Sequence, residues 1–516
     1  IRSTTLILLK RFRAAGGQVV FLDKPPAYVD ALPSKSAAAF AGTCTIAANR
    51  PEVYIPLLSA TCRRVSINDG GGREVPSVLH LLRSDGKFCY LFACNTGHNP
   101  RQLKLPQMED VGVRERTADV PFAAIRGFGD CRGAPMELDP ATGKMWAAQA
   151  TRRNGEWEIS TSFPALGSRL FVIPVAPGSN KSFNLAPRPE SKIAGRTRLA
   201  PGRWQVVLSE ANCLALDRPR FKIGKSGWKG PVEILRLDRV VRDHLGLKHR
   251  GGAMVQPWVR KDEPAGRSET VELEYEFFAD ALPRGELCLA VERPGLYSAA
   301  LNGVSLETGM DCGWWVDRSC RKLPLPAGAV KKGRNVISLR CKYDAHHPGF
   351  EIIYILGEFG VRILNQAGHL TAMPMSLKLG NWCPQGLPFY PGSVGYVCNI
   401  CVTRRAGQQV AVNVPGYLGA AVKVWVDGQE AGYAAWPPSQ VDITRLLKSG
   451  KGRYELRIEV LGHRRNSHGP LHHAKKHPAW TGPYEFVSSG KLWTDKYQLV
   501  PCGLTKPPEI LTLVRA

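Results

Sequence analysis

Short runs in which apolar and polar residues alternate dominate the chain from about residue 51 to residue 180. The clearest is SVLHLLRSDGKFCYLFACNTG at 77–97, where two period-2 segments flank a Ser-Asp-Gly-Lys turn. Similar runs occur at 146–163, which turn at Asn154-Gly155, and at 168–175. Alternation broken by such turns is typical of antiparallel hairpins. This stretch therefore predicts a β-sandwich.

The first fifty residues follow another pattern. STTLILLKRFRAA at 3–15 has helical periodicity after a Ser/Thr N-cap, and Gly16-Gly17 are expected to end the helix. QVVFL at 18–22 is expected to form a buried strand. This order predicts the end of an α/β domain whose other strands lie upstream. Basic residues interrupt the opening apolar stretch, which predicts neither a signal peptide nor a membrane span. We expect the chain to be part of a longer protein.

Two later β regions resemble each other. LNGVSLETGMDCGWWVD at 301–317 and VDGQEAGYAAWPPSQVD at 426–442 each place an Asn-Gly or Asp-Gly turn fifteen residues before an Asp, with tryptophan between. Each is followed by a basic Gly turn and a strand, at 331–340 and 451–461. The two turns are 125 residues apart, a spacing that suits two copies of one β-sandwich module.

These patterns together predict a mainly β fold, with tandem antiparallel β-sandwiches after a short α/β remnant. Pro, Gly, Ser and basic residues enrich the stretch 177–203, which predicts a linker or an extended strand. The predicted domains are the α/β remnant at 1–50, a β-sandwich at 51–180, a linker at 181–204, and two further sandwich modules at 205–365 and 366–516.

The charge balance favours anionic partners. The 516 residues include 69 Lys and Arg against 44 Asp and Glu, for a formal net charge of +25. The basic residues are scattered through strand-like segments, so a solvated surface, an acidic glycan and nucleic acid all stay open, with nucleic acid the least favoured. No hydrolase or nucleotide-binding motif such as G-x-S-x-G, H-E-x-x-H or a P-loop is present.

Fourteen cysteines include one C-x-x-C pair, Cys398 and Cys401. A structural zinc site would need a second pair at matching spacing, and the sequence has none. Most of the others lie within apolar alternation, where buried free thiols are favoured over one or two disulfides. We assign no metal ligands from these residues.

Further stretches carry a resemblance to known enzymes. VDITRLLKSG at 441–450 resembles part of the sugar-binding jelly roll of family 2 glycoside hydrolases, while the first copy departs from it at Asp317-Arg318-Ser319. Other segments, in this order, resemble the C-terminal half of large α-L-rhamnosidase-like enzymes of glycoside hydrolase family 106: 210–217, 241–247, 256–258, 350–361, 385–396, 468–473 and 480–504. The likeness is specific from about residue 205 onward.

The resemblance implies galactose-binding-like jelly rolls that accompany an (α/β)8 barrel, which cleaves rhamnosides with two carboxylates and has calcium nearby. No such barrel can be built here, because alternating strand and helix units end by about residue 50. We therefore expect the catalytic acid and base upstream and assign no catalytic residue and no cofactor to this chain. A structural calcium ion stays open without assigned ligands, since no D-x-D-x-D run occurs.

Aromatic residues are the candidates for carbohydrate contact. In GNWCPQGLPFYPGSVGY at 380–396, prolines and turn glycines stiffen the backbone around the aromatics, as a sugar-stacking edge requires. The favoured alternative is that these rings fill the space between a sandwich and its neighbouring domain. The candidate residues are Trp314, Trp315, Trp382, Phe389, Tyr390, Trp436 and Trp480.

Charged residues give weaker candidates. Five of the twelve histidines lie in HRRNSHGPLHHAKKH at 463–477, which predicts a polar loop at a domain interface rather than a metal site. Contact with an anionic ligand, such as an acidic pectin, is assigned to Arg464, Arg465, Lys475 and Lys476. Glu351 and Glu358 are seven residues apart on a strand-like segment, and we expect structural roles for them, such as an ion pair with Arg362.

Two functional hypotheses follow. The leading one is that the chain is an accessory region of a rhamnosidase-like glycoside hydrolase that acts on plant-type or acidic polysaccharide. This region would support the catalytic barrel and contact glycan, and a periplasmic or secreted location is favoured. The alternative is a non-catalytic carbohydrate-binding or adhesion protein. The isolated α/β remnant counts against the alternative, because a buried strand needs partner strands.

Overall fold

The structure is a computed structural model that describes residues 1–97, 118–140, 142–176, 185–188, 191–200, 202–250, 264–310, 312–475 and 481–515. The chain forms two compact units. The first unit comprises Ile1–Thr96, Asp119–Phe163 and Ser168–Arg188; the second comprises Gly97–Ala118, Pro164–Gly167 and Pro189–Ala516. The prediction of a mainly β chain with tandem β-sandwiches is confirmed.

The first unit begins with a small α/β element. Its helices and strands are α1 (Ser3–Ala14), β1 (Val20–Leu22), β2 (Tyr28–Val29), β3 (Leu32–Pro33), α2 (Lys35–Ala41), β4 (Thr45–Ala47) and α3 (Pro51–Cys62). Strand β1 pairs in parallel with β4, and β2 with β3 form a short antiparallel pair. Leu6, Val19, Ala37 and Phe40 form its small core.

A two-sheet sandwich completes the first unit. Its strands are β5 (Val65–Asn68), β6 (Val78–Ser84), β7 (Phe88–Asn95), β8 (Val120–Gly127), β9 (Met136–Leu138), β10 (Met145–Ala147), β11 (Ala150–Arg153), β12 (Glu156–Phe163) and β13 (Ser168–Pro174). One sheet has the order β10-β9-β13-β7-β6 and the other β11-β12-β8-β5. Apolar side chains from both sheets share one core, which explains the alternation along each strand.

The second unit contains helices α4 (Ile234–Leu245) and α5 (Arg465–His468). Its strands are β14 (Ser191–Arg198), β15 (Trp204–Leu208), β16 (Asn212–Leu216), β17 (Arg220–Ile223), β18 (Glu269–Ala279), β19 (Arg284–Glu292), β20 (Tyr297–Leu301), β21 (Val304–Leu306), β22 (Trp314–Trp315), β23 (Asp317–Pro324), β24 (Gly333–Tyr343), β25 (Ile353–Glu358), β26 (Gly360–Leu364), β27 (Ala367–Thr371), β28 (Ser376–Leu377), β29 (Val394–Arg404), β30 (Gln409–Asn413), β31 (Tyr417–Leu418), β32 (Ala421–Val426), β33 (Gln429–Ala434), β34 (Gln440–Asp442), β35 (Gly450–Leu461), β36 (Gly503–Leu504) and β37 (Glu509–Arg515). Short 3-10 helices lie at Pro294–Leu296, Cys383–Gln385, Thr444–Leu446 and Pro483–Glu485.

These strands build two sandwiches. The middle sandwich packs sheet β16-β25-β19-β23-β22 on sheet β21-β20-β24-β18-β27-β26, in which β17 also pairs with β18. The last sandwich packs sheet β14-β37-β30-β34 on sheet β28-β15-β29-β35-β32-β33. Helix α4 contributes Leu237 and Val241 to the core of the middle sandwich.

The segment predicted as a linker or an extended strand contains strand β14 of the last sandwich. Residues of β14 pair with β37 near the end of the chain, and β15 pairs with β29. Most residues of β14 are exposed, because this strand lies at the edge of its sheet. An edge strand needs no apolar face, so its sequence looks like a linker. The predicted domain boundaries themselves stay predictions.

The repeated turns take equivalent places in the two sandwiches. Asn302 begins the turn between β20 and β21, and Asp427 begins the turn between β32 and β33; both have positive φ, of 50° and 46°. The side chain of Asn302 accepts a hydrogen bond from the amide of Val336 at 2.9 Å, and that of Asp427 from the amide of Glu455 at 2.7 Å. Each turn is thereby tied to the long strand that follows the repeat.

In the part of the chain that the structure describes, no helix combines the length and apolar character needed to cross a bilayer.

Candidate functional site

The aromatic segment 382–390 lies at the seam between the middle and last sandwiches. Trp382, Phe389 and Tyr390 are 1%, 1% and 2% exposed. Phe389 belongs to the core of the middle sandwich, whereas Trp382 and Tyr390 belong to the core of the last one. The segment inserts its rings into two cores in succession, so none of these three rings offers a free face to a ligand in this structure.

The hydroxyl of Tyr390 fixes this segment to the strand before the seam. It accepts hydrogen bonds from the amides of Ser209, at 2.9 Å, and Glu210, at 3.3 Å, and donates to the carbonyl of Ser393 at 3.0 Å. Burial raises the pKa of Tyr390. The phenol is thus a neutral tether that satisfies three backbone groups at once.

A buried ionic cluster crosses the same seam. Asp217 follows β16 of the middle sandwich, while His472 and Tyr497 lie in the long segment after β35 of the last sandwich. The Asp217 carboxylate accepts a hydrogen bond from Nε2 of His472 at 2.8 Å and another from the Tyr497 hydroxyl at 2.6 Å. The side chains of Asp217 and His472 are 0% and 6% exposed.

The surroundings of His472 favour a ring that carries a proton on each nitrogen. Nδ1 donates to the carbonyl of Thr494 at 2.9 Å, and Nε2 donates to Asp217. A carbonyl can only accept, so Nδ1 carries a proton, and an imidazolium that also donates from Nε2 to the carboxyl group fits both contacts. Burial alone would lower the pKa of His472, but the hydrogen bond to Asp217 and the charge of Asp217 outweigh it and raise that pKa.

Glu233 is the second buried carboxyl near this cluster. It caps α4 by accepting hydrogen bonds from the amides of Leu235, at 3.0 Å, and Arg236, at 3.1 Å. Burial, with a contribution from the charge of Asp217, raises the pKa of Glu233 to about 7. The cluster therefore holds one firm ion pair and one carboxyl close to its titration point at neutral pH.

A carboxylate, an imidazole and a phenol are groups that enzymes use for proton transfer. Here each contacts the others or the backbone inside the protein, and Asp217 has no exposed surface. The arrangement can hold two sandwiches together. His472 lies in the segment predicted as a polar interface loop, whereas Asp217, Glu233 and Tyr497 were not predicted. The available signal for Asp217 was a charged residue directly after the apolar run 213–216.

A second buried network anchors helix α4. The Asp238 carboxylate accepts hydrogen bonds from Arg242 at 2.9 Å, Arg250 at 3.1 Å and the Tyr343 hydroxyl at 2.5 Å. Arg250 also donates to Glu351 at 2.9 Å. Arg362 instead pairs with Asp280 at 2.7 Å. The structural role expected for Glu351 holds, but the prediction of Arg362 as its partner is wrong.

The remaining aromatic candidates separate into buried and exposed side chains. Trp315 packs against Tyr354 and His468, each with its ring centroid at 4.9 Å, and is 8% exposed. Trp314 is 51% exposed on β22, an edge strand of the middle sandwich. Trp436 is 61% exposed in the loop after β33 of the last sandwich. Trp480 lies outside the described residues.

The basic candidates that the structure describes differ in their surroundings. Arg464 forms an ion pair with Glu210 at 3.1 Å and is 44% exposed. The terminal nitrogens of Arg465 are buried without a hydrogen-bond partner among the described residues, and burial lowers its pKa. Lys475 is exposed, and Lys476 lies outside the described residues.

Neither the cysteines nor the other side chains that can bind a metal form a further site within the described residues. All fourteen cysteines are thiols outside any disulfide. Cys398 and Cys401 lie three positions apart on β29, which puts them on opposite faces of that strand. Within the described ranges, no group of three or more His, Cys, Asp or Glu side chains is placed to hold a metal ion.

Comparison with known proteins gives weak likenesses. No protein-family model and no curated protein match the sequence. Among solved structures, a rhamnosidase from Novosphingobium sp. PP1Y is 14% identical, with 97% of this chain and 32% of that chain covered and a TM-score of 0.41. A family 2 glycosyl hydrolase from Bacteroides cellulosilyticus DSM 14838 is 10% identical, with 49% of this chain and 32% of that chain covered and a TM-score of 0.18. A β-D-mannosidase from Dictyoglomus thermophilum is 10% identical, with 52% of this chain and 33% of that chain covered and a TM-score of 0.19.

Rhamnosidases and family 2 glycosidases are thus among the solved structures that resemble the chain. The chain spans about a third of the length of each of these three structures. At these identities and TM-scores, the likenesses assign neither a family nor an activity to the chain.

Proposed function

We propose that this chain is an accessory region of an α-L-rhamnosidase-like glycoside hydrolase that acts on plant-type or acidic polysaccharide. Its β-sandwiches support a catalytic barrel of the same polypeptide and contact carbohydrate. The catalytic acid and base belong to that barrel. The chain supplies a rigid frame, a docking surface and glycan contacts.

The observation that carries this proposal is the apolar surface of the α/β element. Strands β1 and β4 form a two-stranded parallel sheet, an arrangement that is normally stable only inside a larger covered sheet. Several large apolar side chains of this element are 39–63% exposed, namely Ile7, Leu8, Phe12, Leu22 and Ile46. Further strands and helices of the same polypeptide would cover this surface.

Two substitutions on α1 test the docking role. Ile7→Ser with Leu8→Ser should leave the chain alone as stable as before, because these side chains are 50% and 63% exposed. In the longer polypeptide with the barrel the same change should cost about 1.5–3 kcal/mol for each side chain that docking buries, measured by thermal unfolding and rhamnoside hydrolysis. Leu282→Ser, at a 57% exposed leucine of the second unit, is the control. Equal effects of the double variant and the control in the longer polypeptide would reject docking.

The glycan contact rests on the two exposed tryptophans. Trp314 and Trp436 occur in the two copies of the sequence repeat, one in each sandwich of the second unit. An exposed indole can stack on the C–H face of a sugar ring. Their exposure of 51% and 61% leaves ring surface for this contact.

Affinity electrophoresis in gels that contain pectic polysaccharide tests this contact. Trp314→Ala and Trp436→Ala should each weaken retention roughly two- to tenfold, as expected for the loss of one stacking contact. Trp228→Ala is the matched control, since this tryptophan is 37% exposed but is covered by Arg220. Retention that is unchanged in both variants would remove the two tryptophans from the proposal.

A further inference from the structure

Two arginines of helix α4 contact one short segment near the end of the chain. Arg239 donates from Nη1 to the hydroxyls of Ser488, at 3.0 Å, and Ser489, at 2.8 Å. Arg236 lies three positions earlier on the helix, and its Cζ is 4.1 Å from the ring centroid of Trp493. Residues three positions apart on a helix are neighbours on its surface. We call these five side chains the arginine cluster.

Arg236 brings a positive charge to the cluster without an acidic partner. Its side chain is exposed, and its guanidinium has no hydrogen bond or ion pair with the described residues. A guanidinium that stacks on an indole keeps its N–H donors in its own plane, where they match the two oxygens of a carboxylate. Trp493 is itself stacked against His472, with ring centroids 6.3 Å apart. Stacking therefore holds the donor edge of Arg236 in place.

Arg239 makes the two serines further donors. Each serine hydroxyl accepts a hydrogen bond from Arg239, so its own proton can go to a second acceptor. Nε of Arg239 donates to Nδ1 of His249 at 3.2 Å, and Nε2 of His249 contacts Asp243 at 2.5 Å. Among the described residues, the charge of Arg239 thus reaches an acid only through an imidazole.

The cluster therefore offers two positive charges and two hydroxyl donors. Ser489 is exposed and Ser488 is half-buried, so a ligand can reach both hydroxyls from solvent. Lys491 is exposed on the same segment and adds positive charge. Charged donors that share one oxyanion form stronger hydrogen bonds than neutral pairs, and the planar fork of arginine suits a carboxylate.

We propose that the arginine cluster binds the carboxylate of a uronic-acid unit in a polysaccharide. The in-plane donors of Arg236 hold the two carboxylate oxygens, the hydroxyls of Ser488 and Ser489 donate to the same group, and Arg239 keeps these hydroxyls oriented. The sugar part of this inference rests on the proposed function. The anion site itself rests on the contacts of the two arginines.

Calorimetric titration of the full chain tests the site with three probes: a short oligogalacturonate, its fully methyl-esterified form and sodium acetate. Arg236→Gln should weaken oligogalacturonate binding about tenfold or more, as for the loss of one charge-assisted hydrogen-bonded contact. Arg236→Lys should restore part of the affinity. The double variant Ser488→Ala, Ser489→Ala should also weaken binding. The methyl ester should bind at least about tenfold more weakly than the acid.

Another arginine stacked on a tryptophan gives the matched control. Arg220 lies with its Cζ 5.7 Å from the ring centroid of Trp228, but it also pairs with Glu274 at 3.9 Å. Arg220→Gln makes the same change of charge and should leave oligogalacturonate binding unchanged. Equal thermal unfolding of Arg236→Gln and the parent chain checks that the variant folds.

A second readout needs no variant. Phenylglyoxal modifies exposed arginines, and mass spectrometry of peptides gives the rate at each position. Oligogalacturonate should slow the modification of Arg236 and leave that of Arg220 unchanged. Oligomer binding that leaves Arg236 unprotected would overturn the site.

The outcomes separate this inference from the proposed function. Oligogalacturonate binding that survives Arg236→Gln but is lost in Trp314→Ala or Trp436→Ala would overturn the arginine site and leave the proposed function standing. No binding of the oligomer to the parent chain would also overturn the site. Acetate binding that depends on Arg236 with an affinity equal to that of the oligomer would overturn the sugar part. Binding of the oligomer that depends on Arg236, with acetate and the methyl ester much weaker, supports the inference.

Discussion

Replacing Asp217 by alanine tests whether the buried ionic cluster joins the middle and last sandwiches. The Asp217 carboxylate accepts one hydrogen bond from His472 at 2.8 Å and one from Tyr497 at 2.6 Å, and it has no exposed surface. The change removes both bonds. It also leaves the imidazolium of His472 without its counter-ion in a site where its side chain is 6% exposed.

The expected cost follows from this geometry. Removal of one partner from a buried ion pair costs about 3–5 kcal/mol, because the other charge stays buried and uncompensated. His472 then loses the interactions that raise its pKa, and that pKa should fall below its ordinary value. The double variant Asp217→Ala, His472→Ala should cost less than the sum of the two single variants, because they remove one shared interaction.

Urea unfolding at pH 6, followed by tryptophan fluorescence, measures the free energy of unfolding. An exposed pair gives the matched control: His249 contacts Asp243 at 2.5 Å, with side chains 35% and 65% exposed. Asp243→Ala should cost under about 1 kcal/mol. If Asp217→Ala costs no more than Asp243→Ala, the cluster does not hold the sandwiches together.

Three more predictions use the same assay. Burial raises the pKa of Glu233 from 4.5 to about 7, so between these pH values the folded chain binds more protons than the unfolded chain. The free energy of unfolding should therefore fall as pH rises through this interval, and Glu233→Gln should make that slope shallower. Tyr390→Phe removes a hydroxyl that serves three backbone groups and should cost about 1–3 kcal/mol at neutral pH; a cost near zero would contradict its role as a tether. An ideal Cβ at Gly462 would overlap the carbonyl oxygen of Gly392, so Gly462→Ala should cost about 1–3 kcal/mol, whereas Gly295→Ala, at a site with open space, should stay within about 0.5 kcal/mol.

The sequence predicts those parts of the fold that depend on near neighbours. Alternation and Asn-Gly or Asp-Gly turns identify hairpins because both strands and the turn are contiguous. Asn302 and Asp427 show this, since each begins a hairpin turn with positive φ. The pairing of β14 with β37 cannot be predicted by this route. The two strands lie more than 300 residues apart, and an exposed edge strand carries no apolar pattern.

The seam shows a second limit. Rigid aromatic residues at 382–390 are visible in the sequence, but their burial depends on which surface covers them. Trp382 and Phe389 enter different cores that are built from distant strands. Asp217 meets His472 across 255 positions and Tyr497 across 280. Residue type and local spacing carry no information about such contacts.

Hydrolysis of an aryl α-L-rhamnoside tests the central claim most directly. The chain alone and the longer polypeptide that includes the preceding region would be compared at equal molar concentration, with matched thermal unfolding of the second unit in both. We expect turnover from the longer polypeptide and none above background from the chain alone. Turnover by the chain alone at a comparable rate would contradict the claim that it is an accessory region, and absence of turnover from the longer polypeptide would contradict its assignment to a rhamnosidase.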